Sequence, residues 1–144
     1  MENKLETMEL IRQRKAQYCR YLDTKQFDEW EKLFSPDVKI TMYGVDGTVL
    51  RSFDSLKSFA GLTRSLFATT QTIHQVHNSE IEFKSNTEVA AIWSMEDWHI
   101  YELKDGQPSK TMHGYGHYYE TWKLINDAWV ITSIDLRRTI LEIR

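Results

Sequence analysis

The period of the apolar positions changes once along this chain, near residue 71, and that change limits the possible folds more than any other feature. Downstream of it, apolar and polar residues alternate in four long segments, 71–83, 87–102, 110–125 and 128–141. Ser85-Asn86, Lys104 to Pro108 and Asn126-Asp127 separate them. Breaks this short leave no room for a crossover helix, so successive strands must pair antiparallel.

Upstream, the spacing is helical. Leu5, Met8, Ile11, Tyr18, Cys19 and Leu22 form one apolar stripe. Phe27, Trp30, Leu33 and Phe34 form a second, which Ser35-Pro36 ends. A strand over Val38 to Tyr43 and a turn at Gly44 to Gly47 follow. Ser52 or Asp54 then caps a third helix with Leu56, Phe59, Leu62, Leu66 and Phe67 on its apolar face. Helices gathered ahead of a strand meander predict an α+β fold, a strongly curved antiparallel sheet packed on three helices of the N-terminal half around an internal pocket. Gly114 and Gly116, on one face of the third long strand, read as points where that sheet bends.

The 144 residues fit one domain, 1–144, with a single core. The aromatic share of 12% suits a thick core or an aromatic-lined cavity. A net charge of -3 without a basic stripe argues against nucleic acid as a partner. The apolar runs are too short to span a membrane. The opening MENKLETMEL lacks a secretory leader pattern, and the single Cys19 has no internal partner for a disulfide, so a cytoplasmic protein is expected. No phosphate-cradling glycine loop or GxSxG elbow occurs. His74 and His77 fall on opposite faces of a strand, while His113 and His117 stand about 13 Å apart at strand rise. Neither pair suits ligands that must reach about 2 Å from one ion, so no metal or cofactor is expected.

Several stretches carry a family likeness: YCRYLDTKQFDEWEKLFSPDV, TTQTIHQVHNSEIEF, AAIWSMEDW, HGYGHYYETW and DAWVITSIDLRR. Together they resemble the SnoaL-like, polyketide-cyclase-like group of the nuclear transport factor 2-like superfamily, over roughly residues 5 to 140. The resemblance is nearest to the bile-acid 7α-dehydratase, dehydrochlorinase and scytalone dehydratase branch. It implies a cone-shaped α+β barrel and a cofactor-free lyase acting on an apolar, cyclic, oxygenated small molecule. By the same likeness His74 is the general base and Asp23 its carboxylate, with Tyr18, Asp97 and Arg137 completing the set. His113 or His117 would supply a second inward histidine, as in the scytalone dehydratase pattern. The group also contains isomerases, cyclases and non-catalytic binding or assembly domains, and these remain alternatives. Relatives associate through the sheet, which implies a homotrimer or homodimer here, joined by a face carrying Trp98, Tyr118 and Trp122.

The chemistry fits those residue types. A neutral imidazole can take a proton near neutral pH, and a carboxylate on its other nitrogen fixes the tautomer. Tyr18 could polarise an oxygen, Arg137 could hold developing negative charge, and Asp97 could act as an acid or pair with the arginine. Each residue also has an ordinary reading. His74, on one strand face with Thr72 and Val76, could be a hydrogen-bonded core histidine. Asp23, between two helices, could be an N-cap, and lies about 40° from Cys19 around a continuous helix. Tyr18 could be a packed aromatic. Asp97 shares a face with Trp93, Met95 and His99 and needs a partner if that face is buried. Arg137 and Arg138 point to opposite faces, so only one of them can face the pocket.

Overall fold

The computed structural model describes residues 3–102, 105, 107 and 110–144. Three helices precede the long strands: α1 (Lys4–Asp23), α2 (Phe27–Glu31) and α3 (Leu56–Phe67). Six strands, β1 (Phe34–Tyr43), β2 (Val49–Phe53), β3 (Gln71–Ser85), β4 (Glu88–Ile100), β5 (Thr111–Ile125) and β6 (Ala128–Ile143), form one sheet in the order β2-β1-β6-β5-β4-β3. All neighbours run antiparallel except β1 and β6, which are parallel. The sheet curves over the helices without closing, giving the expected α+β cone with β2 and β3 as its free edges.

Local chemistry explains most of these elements. The Asn3 side chain accepts from the Leu5 N–H and caps α1. Ile11, Lys15, Tyr18, Cys19 and Leu22 then recur along its buried side. Asn126 and Asp127 both have positive φ and join Ile125 to Ala128, a two-residue turn whose twist matches the β5–β6 hairpin. In β4 the alternation is strict: Val89, Ala91, Trp93, Met95, Asp97 and His99 are buried, and Trp98 and Ile100 are exposed.

Three expectations need correction. The second helix stops at Glu31, and Phe34 to Pro36 open β1 instead. Pro36 is tolerated there because the β1–β6 register is broken between Phe34 and Lys39, so no ladder bond needs its missing N–H. The segment Val49–Phe53, for which no strand was expected, is a short edge strand, and Ser55 rather than Ser52 or Asp54 caps α3 by accepting from Ser58 N–H. The sheet face assigned to Trp98, Tyr118 and Trp122 does not exist as such. Tyr118 and Trp122 point into the core, while Tyr115 and Tyr119 join Trp98 outside. The expected turn at Lys104 to Pro108 falls largely outside the described residues. No helix of the described residues is long and apolar enough to cross a membrane.

The core between sheet and helices is aromatic. Tyr18, Trp30, Phe34 and Phe59 pack with ring centroids 4.9 to 6.1 Å apart. Below Tyr18, Lys15 and Glu120 form an ion pair with no solvent exposure at either side chain. Trp93 and Trp122 donate their indole N–H groups to Glu120, and the Lys15 ammonium lies 3.7 Å and 3.9 Å from the ring centroids of Tyr18 and Tyr118.

Candidate active site

At one end of the cone the C-terminus of α1, the C-terminus of α3, the start of β3 and the end of β4 converge. Asp23 is the last residue of α1, where the helix dipole disfavours a carboxylate. Three donors offset that cost. His74 Nδ1 lies 2.7 Å from Asp23 Oδ1, the His74 backbone N–H donates to Oδ2 at 2.8 Å, and Thr72 Oγ1 donates to Oδ1 at 3.0 Å. Asp23 does not cap α2. Gln26 occupies that position, without a side-chain cap bond. Because β3 is an edge strand, the carboxylate also satisfies a backbone N–H that no neighbouring strand could reach.

Lys25 holds this corner together. It adopts φ 60, and its ammonium donates to the carbonyls of Phe67 and Thr70. That tie fixes Phe67, whose ring lies 5.8 Å from His74 and 5.2 Å from His99. The two imidazoles stand 5.3 Å apart, centroid to centroid. With Nδ1 engaged by Asp23, the Nε2 of His74 is left for chemistry.

Asp97 lies directly opposite His74 in the β3–β4 ladder. Arg138 grips it with two parallel bonds, Nη1 to Oδ1 at 2.8 Å and Nη2 to Oδ2 at 2.9 Å, and His99 Nε2 adds a contact at 3.0 Å. Burial pushes the Asp97 carboxyl up, but the bonds and charges of Arg138 and His99 more than offset it and hold it well below the usual carboxylate range. Asp97 is therefore an anion in this arrangement, which removes the role of proton donor expected for it.

The two alternating glycines make this pair possible. A Cβ on Gly114 would lie 2.1 Å from Arg138 Nη1 and 2.9 Å from Asp97 Oδ1. One on Gly116 would meet the Arg137 carbonyl oxygen at 2.2 Å. The glycines are thus not only bending points, for Gly114 clears a channel for the guanidinium and Gly116 admits the backbone of β6. Next to them the β5–β6 register slips between Tyr115 and Gly116.

Of the residues expected from sequence, His74, Asp23 and Asp97 come together here. Arg137 does not. It is exposed and lies 3.9 Å over the Tyr43 ring on the outer face, and Arg138 takes the inward place. Ile134 and Leu136 are buried on the inner face, and their parity points to Arg138. The second inward histidine is His99, not His113 or His117, which share the outward parity of β5; His113 bonds Glu96 outside at 2.8 Å. The signal for His99 was its place in the Trp93, Met95, Asp97 series. Tyr18 lies deeper, its ring 6.0 Å from that of Tyr118. Burial, with Glu120 adding to it, raises the Tyr18 hydroxyl well above its ordinary value, so it stays protonated. Burial pushes the Cys19 thiol up to about 11, so Cys19 is no nucleophile near neutral pH.

Atoms of His74, Asp97 and His99 lie within 4.8 Å of one another, a spacing that could bracket an ion. The donor set fits one poorly. Arg138 already takes both oxygens of Asp97 and would bring its own positive charge against the metal. A groove of about 490 Å³ between α1 and β3 reaches Asp23 and His74 from the outer side of the sheet edge.

Comparison with known proteins agrees with this architecture. Among solved structures, a candidate scytalone dehydratase of Novosphingobium aromaticivorans superposes with a TM-score of 0.82 at 21% identity, covering 96% of this chain and 88% of that one. The hexachlorocyclohexane dehydrochlorinase LinA-type3 of Novosphingobium barchaimii gives 0.78 at 15%, over 98% and 92%. These share the fold. A closer relative in sequence is the probable cyclase FGR4 of Gibberella zeae, 32% identical over 139 residues, which are 92% of this chain and 91% of that protein. The family model for the SnoaL-like domain matches residues 3–135. With that model and that relative each spanning nearly all of it, the chain belongs to the SnoaL-like domain family of the nuclear transport factor 2-like superfamily.

Proposed function

We propose that this protein is a cofactor-free lyase of the elimination type, acting on an apolar, cyclic, oxygenated small molecule with His74 as general base. The observation that carries the reading is the 2.7 Å bond between His74 Nδ1 and Asp23 Oδ1, in a dyad whose histidine is 7% exposed. A binding-only domain has no need of a buried imidazole held in one tautomer by a half-buried carboxylate. Nε2 of His74 takes a proton from a carbon of the substrate. The electrons left behind form a double bond, and the carbon–oxygen bond breaks on the neighbouring carbon. Nε2 of His74 returns that proton to the departing oxygen, so water leaves and the imidazole ends neutral again, with the His99 ring, held by Asp97, standing beside it. Phe67 shields both imidazoles from water.

Relatives named as a cyclase and as a dehydrochlorinase support base chemistry on cyclic molecules. The cyclase name also favours a second reading, ring closure or isomerisation by the same base without loss of water. Product mass from a panel of cyclic β-hydroxy ketones separates the two, since an unchanged mass excludes dehydration. His74→Gln should lower turnover at least about a hundredfold with the fold intact. Near-normal turnover in that variant refutes the role of His74.

A further inference from the structure

We infer that the site admits only a substrate whose reacting end is uncharged, and that Asp97 sets this preference by occupying Arg138. The inference rests on the proposed function above, because it concerns the molecule that meets His74. An inward arginine is the usual handle for a carboxylate or phosphate. Here the fork is spent, since both of its terminal nitrogens bond Asp97, and the two side chains are 9% and 3% exposed. Other cations near this end are engaged or turned out to solvent: Arg20, on the exposed side of α1, lies 4.8 Å over the Tyr21 ring, and Lys110 is exposed. Lys25 is bound to the carbonyls of Phe67 and Thr70, and Arg51 is exposed on the edge strand β2.

The remaining balance is negative. Asp23 and Asp97 are two carboxylates against one guanidinium, so one negative charge is left when both imidazoles are neutral. Neutral is the state His74 needs in order to act as a base. A substrate anion beside His74 would therefore meet net repulsion in a buried setting. At about 6 Å and an effective dielectric near 20, one such charge is worth about 2.8 kcal/mol, or roughly a hundredfold in affinity. Phe67 and the two imidazole faces offer instead an aromatic wall suited to a neutral ring. Asp97 acts here through Arg138, as a positioning residue.

The test uses two probes of one shape, 2-naphthol and 2-naphthoate, at about pH 7, where only the second is charged. Binding is read by calorimetry and by the imidazole NMR signals of His74 and His99. The wild-type protein should bind the naphthol at least about tenfold more tightly. Asp97→Asn frees the fork and should move the ratio at least about tenfold toward the naphthoate, a change that mere loosening of the site would not produce. Should that variant fail to fold, Arg138→Gln, which removes the cation and leaves both carboxylates, should widen the wild-type preference. Equal or tighter binding of naphthoate by the wild type overturns the charge preference while leaving His74 as base untouched. If neither probe moves the two histidine signals, the preference and the pocket reading both fall. A His74→Gln variant that keeps its turnover sinks the catalytic reading alone.

Discussion

Gly114→Ala is the sharpest structural test of the inner ion pair. The added methyl carbon would stand 2.1 Å from Arg138 Nη1 and 3.1 Å from Arg138 Cζ, where ordinary contact begins near 3.4 Å. The guanidinium must retreat by more than about 1 Å, which carries its 2.8 and 2.9 Å bonds to Asp97 beyond hydrogen-bonding range. Breaking a buried pair costs about 3–5 kcal/mol when one charge is stranded. Arg138 is near enough to the rim to regain some water, so the lower end of that range, about 3 kcal/mol, is expected. At an unfolding entropy of roughly 0.3 kcal/mol/K for a chain this long, the midpoint of a thermal melt should fall by about 10 °C. A double-mutant cycle isolates the cause. With Arg138→Gln already in place the methyl should cost less than about 1 kcal/mol, leaving a coupling of about 2 kcal/mol. A Gly114→Ala protein within about 0.5 kcal/mol of wild type, or an equal loss in both backgrounds, refutes the claim that Gly114 exists to make room for Arg138.

Two further outcomes follow from buried charges. Lys15→Met strands Glu120 among Trp93 and Trp122 and should cost about 3–5 kcal/mol in urea unfolding, much of it recovered when Glu120→Gln is added; a loss below about 1 kcal/mol would mean the pair contributes little. Asp97 has a folded pKa held below its unfolded value, so its stabilising effect is complete above about pH 4 and is lost as pH falls further. The stability gap between wild type and Asp97→Asn should therefore be constant from neutral pH down to about pH 5 and narrow below about pH 4; a gap that grows on acidification reverses the assigned sign.

Much of this was legible in the residues because it depends on short-range rules. Period-two alternation with two-residue breaks leaves antiparallel hairpins as the solution, and the Asn126-Asp127 turn carries the positive φ that such a hairpin needs. The same parity rule places His74, Asp97 and His99 on one face of the β3–β4 pair. It also assigns Arg138 rather than Arg137 to the interior, once the inward run of Ile134 and Leu136 is followed. Family likeness implies Arg137, and His113 or His117, but the parity of their strands turns these side chains outward.

Other features lay beyond local reading. Phe34 to Pro36 look like the end of a helix until β6 is present to pair with them, because strand formation there depends on a partner almost a hundred residues away. The bond between His74 and Asp23 joins residues 51 apart and exists only because α1 ends beside the edge of β3. Gly114 and Gly116 announce missing side chains, but what fills the space is a guanidinium arriving from another strand. Sequence alone determined the four long strands and their hairpin order, since alternation and turn chemistry act between neighbours. Only the tertiary structure decided which carboxylate meets His74 and which arginine is neutralised by Asp97, because those are contacts between distant segments whose positions depend on how the whole sheet curves over its helices.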